Sequence, residues 1–416
     1  MNTIIFFIFF LLIYNTFSVL IFPFKTIHTY SKEDEFKHLL KTSEIIELTI
    51  GEPNQKIKAK IDIRDYSFHL IQKINNTDYY SKDISKTRIL ERNYTYTFYD
   101  SPFSEGYVIQ DNFFFKNNKN EIIEGKKIFF ILAIDLKDII PCFLGLNFEK
   151  ESEDSLYNFI SMLKFRKIID KKVWTLKYEN ENEGNLIIGD YYHNYIPKQF
   201  QLKEFVWTKI AFLEYYKGWF ILFDNIYIGD KKSECKNIAT FSIDYNLIEG
   251  PNEVRNVFLE KVFIDSKCKE ALLDYKYIYV CDEDIDYSKF PDLKFYNREL
   301  NYTFIVTKDD LFMKQNKKIY FLMFFQKGLN DKYFQYWVLG KPFLKKYNLI
   351  FDAEQQIIGI YKQEIKNKPL SLIFIMILLF SIIIALYILF KFVKSHNRKK
   401  RVYEIDENYE YVTTIN

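Results

Sequence analysis

The sequence predicts a mostly β, two-lobed ectodomain with a central cleft, followed by one membrane-spanning helix. Three observations carry this expectation. Short strands, alternating or continuously apolar, follow one another from Ser43 to Tyr361 with turn residues between them. A weak internal repeat relates the two halves of that region. "IELTIG" ends at Gly51 and leads to Asp62, while "DNIYIG" ends at Gly229 and leads to Ser242. Beyond it, Pro369 to Phe390 carries no charge and is long enough to cross ~30 Å of hydrocarbon as a helix.

The chain begins with "MNTIIFFIFFLLIYNTFSVL", an apolar run followed by small and polar residues near Thr16 and Ser18. This suits a cleaved signal peptide over 1–18, although the positive n-region is missing; an uncleaved anchor is the alternative. Residues 19–42 fit either a short removable pro-segment, rich in Lys and His, or the first strand of the mature domain. The strand run then divides into an N-terminal lobe over 43–205 and a C-terminal lobe over 206–361. One segment, "SLYNFISMLKFRKII", has helical spacing through Leu156, Phe159, Ile160, Leu163 and Phe165. A linker over 362–368 leads to the span at 369–390 and a tail at 391–416. Lys391, Lys394, Arg398, Lys399, Lys400 and Arg401 open that tail. By the positive-inside tendency it is cytosolic, and the ectodomain is lumenal or extracellular, as in a single-pass type I protein in contact with lipid through 369–390.

The formal charge of +3 gives no global field for nucleic acid, and no basic patch interleaved with aromatics argues for it. Sequons at Asn75, Asn93 and Asn301 match passage through the secretory pathway. Of the four cysteines, Cys268 and Cys281 are nearest in sequence and are the best disulfide candidates in an oxidising compartment. Cys142 and Cys235 are left without an assigned partner. His28, His38, His69, His193 and His396 show no ligand spacing, so no metal and no cofactor is expected. The acidic run "CDEDID" reads as a solvated loop, and "YEYV" in the tail fits a tyrosine-based sorting pattern.

These motifs, in this order, resemble the pepsin-like aspartic proteases, the family of cathepsin D and the plasmepsins. "ELTIGEPNQKIKAKID" resembles the family's opening strands, with Ile50, Gly51, Pro53 and Gln55 leading to the first catalytic position, Asp62. "FYDSPFSEGYVIQD" is similar to the flap hairpin, with Tyr99 at the flap tyrosine and Gly106 and Asp111 at the expected spacing. "CFLGLNF" resembles the strand that crosses beneath the first active-site loop. "GNLIIGDYYHNYI" is similar to the inter-lobe segment, and "YWVLGKPFLKKYNLIFDAEQQIIGIY" resembles the C-terminal signature. With only twelve glycines in the chain, the fall of Gly51, Gly106, Gly145, Gly189, Gly229, Gly250, Gly340 and Gly359 on family positions is specific. Cys281 stands before "FPDL" much as a family cysteine stands before Leu-Pro-Asp, which adds to the Cys268–Cys281 expectation.

The resemblance implies proteolysis by two carboxylates that share one proton and hold a water. Like charges this close cannot both ionise, so one acts as base and the other as acid. In the family each Asp sits in an Asp-Thr-Gly loop. Here Asp62 is followed by Ile63 and Arg64. Counting back from Gly250-Pro251 puts Ser242 at the second catalytic position, Ile243 at the Thr and Asp244 at the Gly. A two-residue slip would instead make Asp244 the partner of Asp62. The expectation is therefore a membrane-anchored homologue with a degenerate dyad, binding an extended peptide or protein in its cleft without cleaving it. An atypical endopeptidase using Asp62 with Asp244 is the alternative.

Overall fold

In the strand Gln55–Asp62 every second side chain, Ile57, Ala59 and Ile61, is buried, while Lys56 and Lys58 are exposed. Successive side chains of a strand point to opposite faces, so this alternation alone assigns one face to the core. Lys60 and Asp62 share the other face. The computed structural model describes residues 18–28, 40–72, 79–98, 101–134, 142–147, 158–194, 205–212, 218–233, 237–251, 254–256, 268–273, 276–288, 290–326, 336–362 and 380–394.

Three sheets are built from these residues, of thirteen, eight and four strands. In the largest, Thr42–Ile50 pairs antiparallel with Gln55–Asp62 on one side and with Leu20–His28 on the other. Leu20–His28 also pairs with Glu183–Ile188, so this part of the 19–42 stretch lies inside the sheet. Leu20, Phe22 and Phe24 are buried there, and burial of alternate apolar residues holds the strand in register. The same sheet continues through Val173–Tyr178 to Leu349–Asp352, Ile357–Tyr361 and Phe205–Lys209. Strands from the start and the end of the domain thus share one sheet, which joins the halves. Trp174 and Phe351 stack on these strands with ring centroids 4.1 Å apart, and Trp219 meets both rings edge-on.

The flap-like segments form a long hairpin, Ile89–Phe98 against Ser101–Lys116. Tyr99 and Asn75 lie outside the described residues. Within the second strand of the hairpin, Asp111 is buried and accepts hydrogen bonds from the Tyr80 hydroxyl at 2.7 Å and the Thr87 hydroxyl at 2.5 Å. The expected helix is present as Phe159–Phe165, capped by the Asn158 side chain, which accepts from the Ser161 N–H. Phe159, Ile160 and Leu163 are buried as expected of an apolar face, but Phe165 is 62 % exposed. The helix ends at Phe165, so this last side chain has left the buried stripe. Leu156 is outside the described residues.

Cys268 and Cys281 face each other across the strands Cys268–Leu273 and Lys276–Asp282 and are joined by a disulfide. Cys142 is buried and free, and Cys235 is outside the described residues. The bridge closes a loop with a sequence separation of 13, for which chain entropy gives about 3 kcal/mol. Cys268→Ala/Cys281→Ala is expected to lose up to that amount in urea unfolding without reductant, with little change in slope.

Residues 363–416 form a second unit. Helical backbone covers 380–394 and is exposed throughout. Among the described residues no helix is long and apolar enough to cross a membrane, and the first part of the expected span, 369–379, lies outside them.

Candidate functional site

Two loops of the same plan form the site. In the first, Gln55–Asp62 lies parallel to Cys142–Gly145, with Asp62 abreast of Gly145. A Cβ on Gly145 would come within 2.5 Å of the Ser67 carbonyl oxygen, so only a bare backbone fits there. The chain turns after Asp62, and its carboxylate Oδ1 accepts the N–H of Arg64 at 2.8 Å and of Asp65 at 3.2 Å. The Asn147 side-chain amide donates to the Arg64 carbonyl at 2.8 Å, which ties the loop to the crossing strand.

In the second loop Ile238–Phe241 lies parallel to Trp337–Leu339, with Phe241 abreast of Leu339. One step further, Ser242 stands beside Gly340 as Asp62 stands beside Gly145, and the Ser242 N–H donates to the Leu339 carbonyl at 3.2 Å. Gly340 is as constrained as Gly145, since its Cβ would fall 1.8 Å from the Leu247 carbonyl oxygen. The Asp244 N–H approaches the Ser242 hydroxyl oxygen at 3.3 Å, repeating the Arg64-to-Asp62 bond. Register and hydrogen bonding thus pair Ser242 with Asp62, and Asp244 with Arg64. Ile63 and Ile243, the middle residues of both loops, are buried in the main core.

The two loops meet through charge. Asp244 holds Lys60 Nζ at 2.7 Å through Oδ1 and Arg64 Nη2 through Oδ2. Lys60 reaches this point because it shares the outward face of its strand with Asp62. Burial pushes the Asp62 carboxyl up, and the neighbouring Asp244 charge adds to this against the opposing pull of Lys60 and Arg64. Burial would also raise Asp244, but Lys60 and Arg64 outweigh it and hold that carboxylate below its usual range. Lys60, which burial alone would depress, is raised by Asp244 and Asp62. The pair therefore divides into an ionised Asp244 clamped by two cations and an Asp62 that protonates more readily than a free carboxyl. A carboxyl raised in the folded state adds stability that is complete below its unfolded value and is lost as pH rises through its folded value. Asp62→Asn is accordingly expected to flatten the pH dependence of the melting temperature in the window above the ordinary Asp value.

A second buried pair lies close by. Lys341, 1 % exposed, places Nζ 2.7 Å from Oε1 of Glu44, which is fully buried, and also meets the Thr42 hydroxyl. Glu44 Oε1 accepts from Thr26 Oγ1 at 3.1 Å and from the Tyr178 hydroxyl at 3.3 Å. Burial pulls the Lys341 amine below its usual value, with Glu44 opposing. The Thr42 N–H donates to the Asp244 carbonyl at 3.2 Å, so this pair and the loop cluster share a backbone link.

The sequence reading singled out Asp62, Ser242 and Asp244, and the structure brings both loops into one cluster. Lys60, Glu44 and Lys341 were missed. The alternation of Gln55–Asp62 was the one available signal for Lys60, because it puts that side chain on the face of Asp62. Of the expected sequons, Asn93 and Asn301 are exposed. His69 is a buried ring stacked on Phe143, and burial lowers it to about 4. No group of His, Cys, Asp and Glu among the described residues could hold a metal ion.

A β domain in which two related loops, each laid beside a parallel strand that runs up to a glycine, meet through their side chains is the class this geometry defines. The family described as eukaryotic aspartyl protease matches residues 44–363, and the chain belongs to that family. Its fold is similar to that of conglutin gamma, a basic 7S globulin from lupine seeds, at a TM-score of 0.63 and 12 % identity over 83 % of this chain and 95 % of that one. It is also similar to basic 7S globulin from soybean, at 0.64 and 11 % over 85 % and 97 %. A comparison with curated proteins gives no match.

Proposed function

We propose that the protein is a membrane-anchored member of the aspartyl protease family whose cleft binds an extended peptide without cleaving it. The observation that carries this reading is the clamp on Asp244. Family chemistry needs two carboxylates sharing a proton around a water, and here Lys60 and Arg64 both neutralise Asp244 while a serine stands beside Gly340. Two cations at a carboxylate favour full ionisation and oppose a shared proton. The cleft of this fold takes peptides as an added strand, and that mode of binding does not require the dyad. The reading is tested by incubating the full chain in detergent with extended peptides of mixed sequence at acidic and neutral pH. Peptides should be retained by the protein and recovered intact; cleaved products, or no retention, would count against it.

A second reading, an atypical endopeptidase using Asp62 with Asp244, draws on one observation. The two carboxyls sense each other, and Asp62 is raised in part by Asp244. It requires Arg64 and Lys60 to leave Asp244 when substrate enters.

For the anchor, the support is the exposed apolar helix at 380–394. Phe380, Ile383, Leu386, Leu389 and Phe390 are each more than half exposed. From Ile382 to Phe390 the helix carries no charge on any side, which calls for a lipid surround, and Lys391 and Lys394 end that stretch. With the basic tail, this favours a type I orientation, glycans at Asn93 and Asn301, and removal of a signal peptide.

A further inference from the structure

Four charged groups meet at the two loops, and they differ sharply in exposure. The side chains of Lys60 and Asp244 are 16 % and 14 % exposed, whereas that of Arg64 is 51 % exposed. Of the two cations, Arg64 is thus the one that faces solvent, while the carboxylate it shares with Lys60 is mostly buried. Arg64 uses Nη2 on Asp244, and among the described residues its Nε and Nη1 have no protein partner. Its backbone is fixed from both sides, the N–H by Asp62 and the carbonyl by Asn147. A guanidinium held at one end in this way presents its remaining N–H groups in a preset plane, which lowers the ordering cost of a ligand.

We propose that Arg64 is a carboxylate-binding residue of the cleft floor, so that the ligand is an acidic peptide with a Glu or Asp side chain seated over the two loops. This rests on the peptide-binding reading above and adds the class of peptide. A carboxylate matches the free edge of the guanidinium, and a charge-assisted bond of this kind is stronger than a neutral one. The charged and titratable groups around Arg64 are Lys60 and Asp62 from its own lobe and Asp244 and Tyr245 from the other. Of the two acidic groups, Asp244 is already balanced by Lys60 and Arg64. Burial, followed by Asp244, opposes ionisation of Asp62, so repulsion of an incoming carboxylate is weakened.

The test uses the full chain in detergent and three fluorescent peptides of one extended sequence, with Glu, Gln or Lys at the central position. The Glu peptide is expected to bind about tenfold more tightly than the Gln peptide, with the Lys peptide weakest and the Glu advantage shrinking in high salt. In Arg64→Gln the Glu and Gln peptides should bind alike, and Arg64→Lys should keep part of the preference because it keeps the charge but loses the fork. Thermal melts of both variants identify any loss of fold. Equal binding of Glu and Gln peptides by the parent chain, or a preference that survives in a folded Arg64→Gln, overturns the assignment while leaving peptide binding intact. Failure of all three peptides to bind overturns it together with the reading beneath it.

Discussion

Ser242→Asp alone is expected to leave the protein without pepstatin-sensitive proteolysis, although it restores a carboxylate beside Gly340. Three acidic groups, at 62, 242 and 244, would then share the loops with Lys60 and Arg64. The two cations would still favour ionised carboxylates over a shared proton. Arg64 and Asp244 would also still occupy the positions where the family keeps bare glycine backbone. Members of a catalytic unit act together, and loss of one costs on the order of 10⁴–10⁶ in turnover. Adding Arg64→Gly and Asp244→Gly removes the clamp and opens both loops. A weak rate above background is expected in that triple variant, since Ile63 and Ile243 cannot make the hydroxyl bonds between loops. Turnover of a fluorogenic peptide with and without pepstatin reads the difference. Robust activity from Ser242→Asp by itself would mean that the cations do not govern the site.

Lys341→Met is expected to be strongly destabilising. Glu44 is fully buried, and its nearest cation is Lys341 Nζ. Removing the lysine leaves a carboxylate with only the Thr26 and Tyr178 hydroxyls for compensation, a loss of about 3–5 kcal/mol for a broken buried pair. Glu44→Leu/Lys341→Met should recover much of this, because an apolar pair of similar size carries no desolvation cost. Urea midpoints of the two single variants and the double close the cycle. Additive losses in the double would contradict a direct ion pair.

Much of this fold was legible in the sequence because strands declare themselves by alternation. Ile57, Ala59 and Ile61 mark a core face without any knowledge of the partner strand. Glycine scarcity helped as well: Gly145 and Gly340 are retained because a Cβ at either would strike backbone oxygen. Counting back from Gly250-Pro251 put Ser242 at the second catalytic position of the resemblance, and the parallel pairing of Ile238–Phe241 with Trp337–Leu339 leads the chain to Ser242 just beyond it. Other features depend on what lies across the molecule. Alternation says that Lys60 points outward, yet not that Asp244 waits there from the other loop. Glu44 and Lys341 are ordinary charged residues on the page and become a buried pair only when distant strands close over them. Leu20–His28 was ambiguous for a related reason: Lys25 and His28 suit a basic pro-segment, and the burial of Leu20, Phe22 and Phe24 emerges only with the sheet.

The central claim, that the family's catalytic centre is here a clamped charge cluster, is tested most directly by one assay. The purified full chain is incubated with denatured protein substrate at acidic pH, with and without pepstatin, beside Asp62→Asn. The expected result is no pepstatin-sensitive cleavage and no difference between the two chains. Pepstatin-sensitive cleavage by the parent chain that disappears in Asp62→Asn would contradict it.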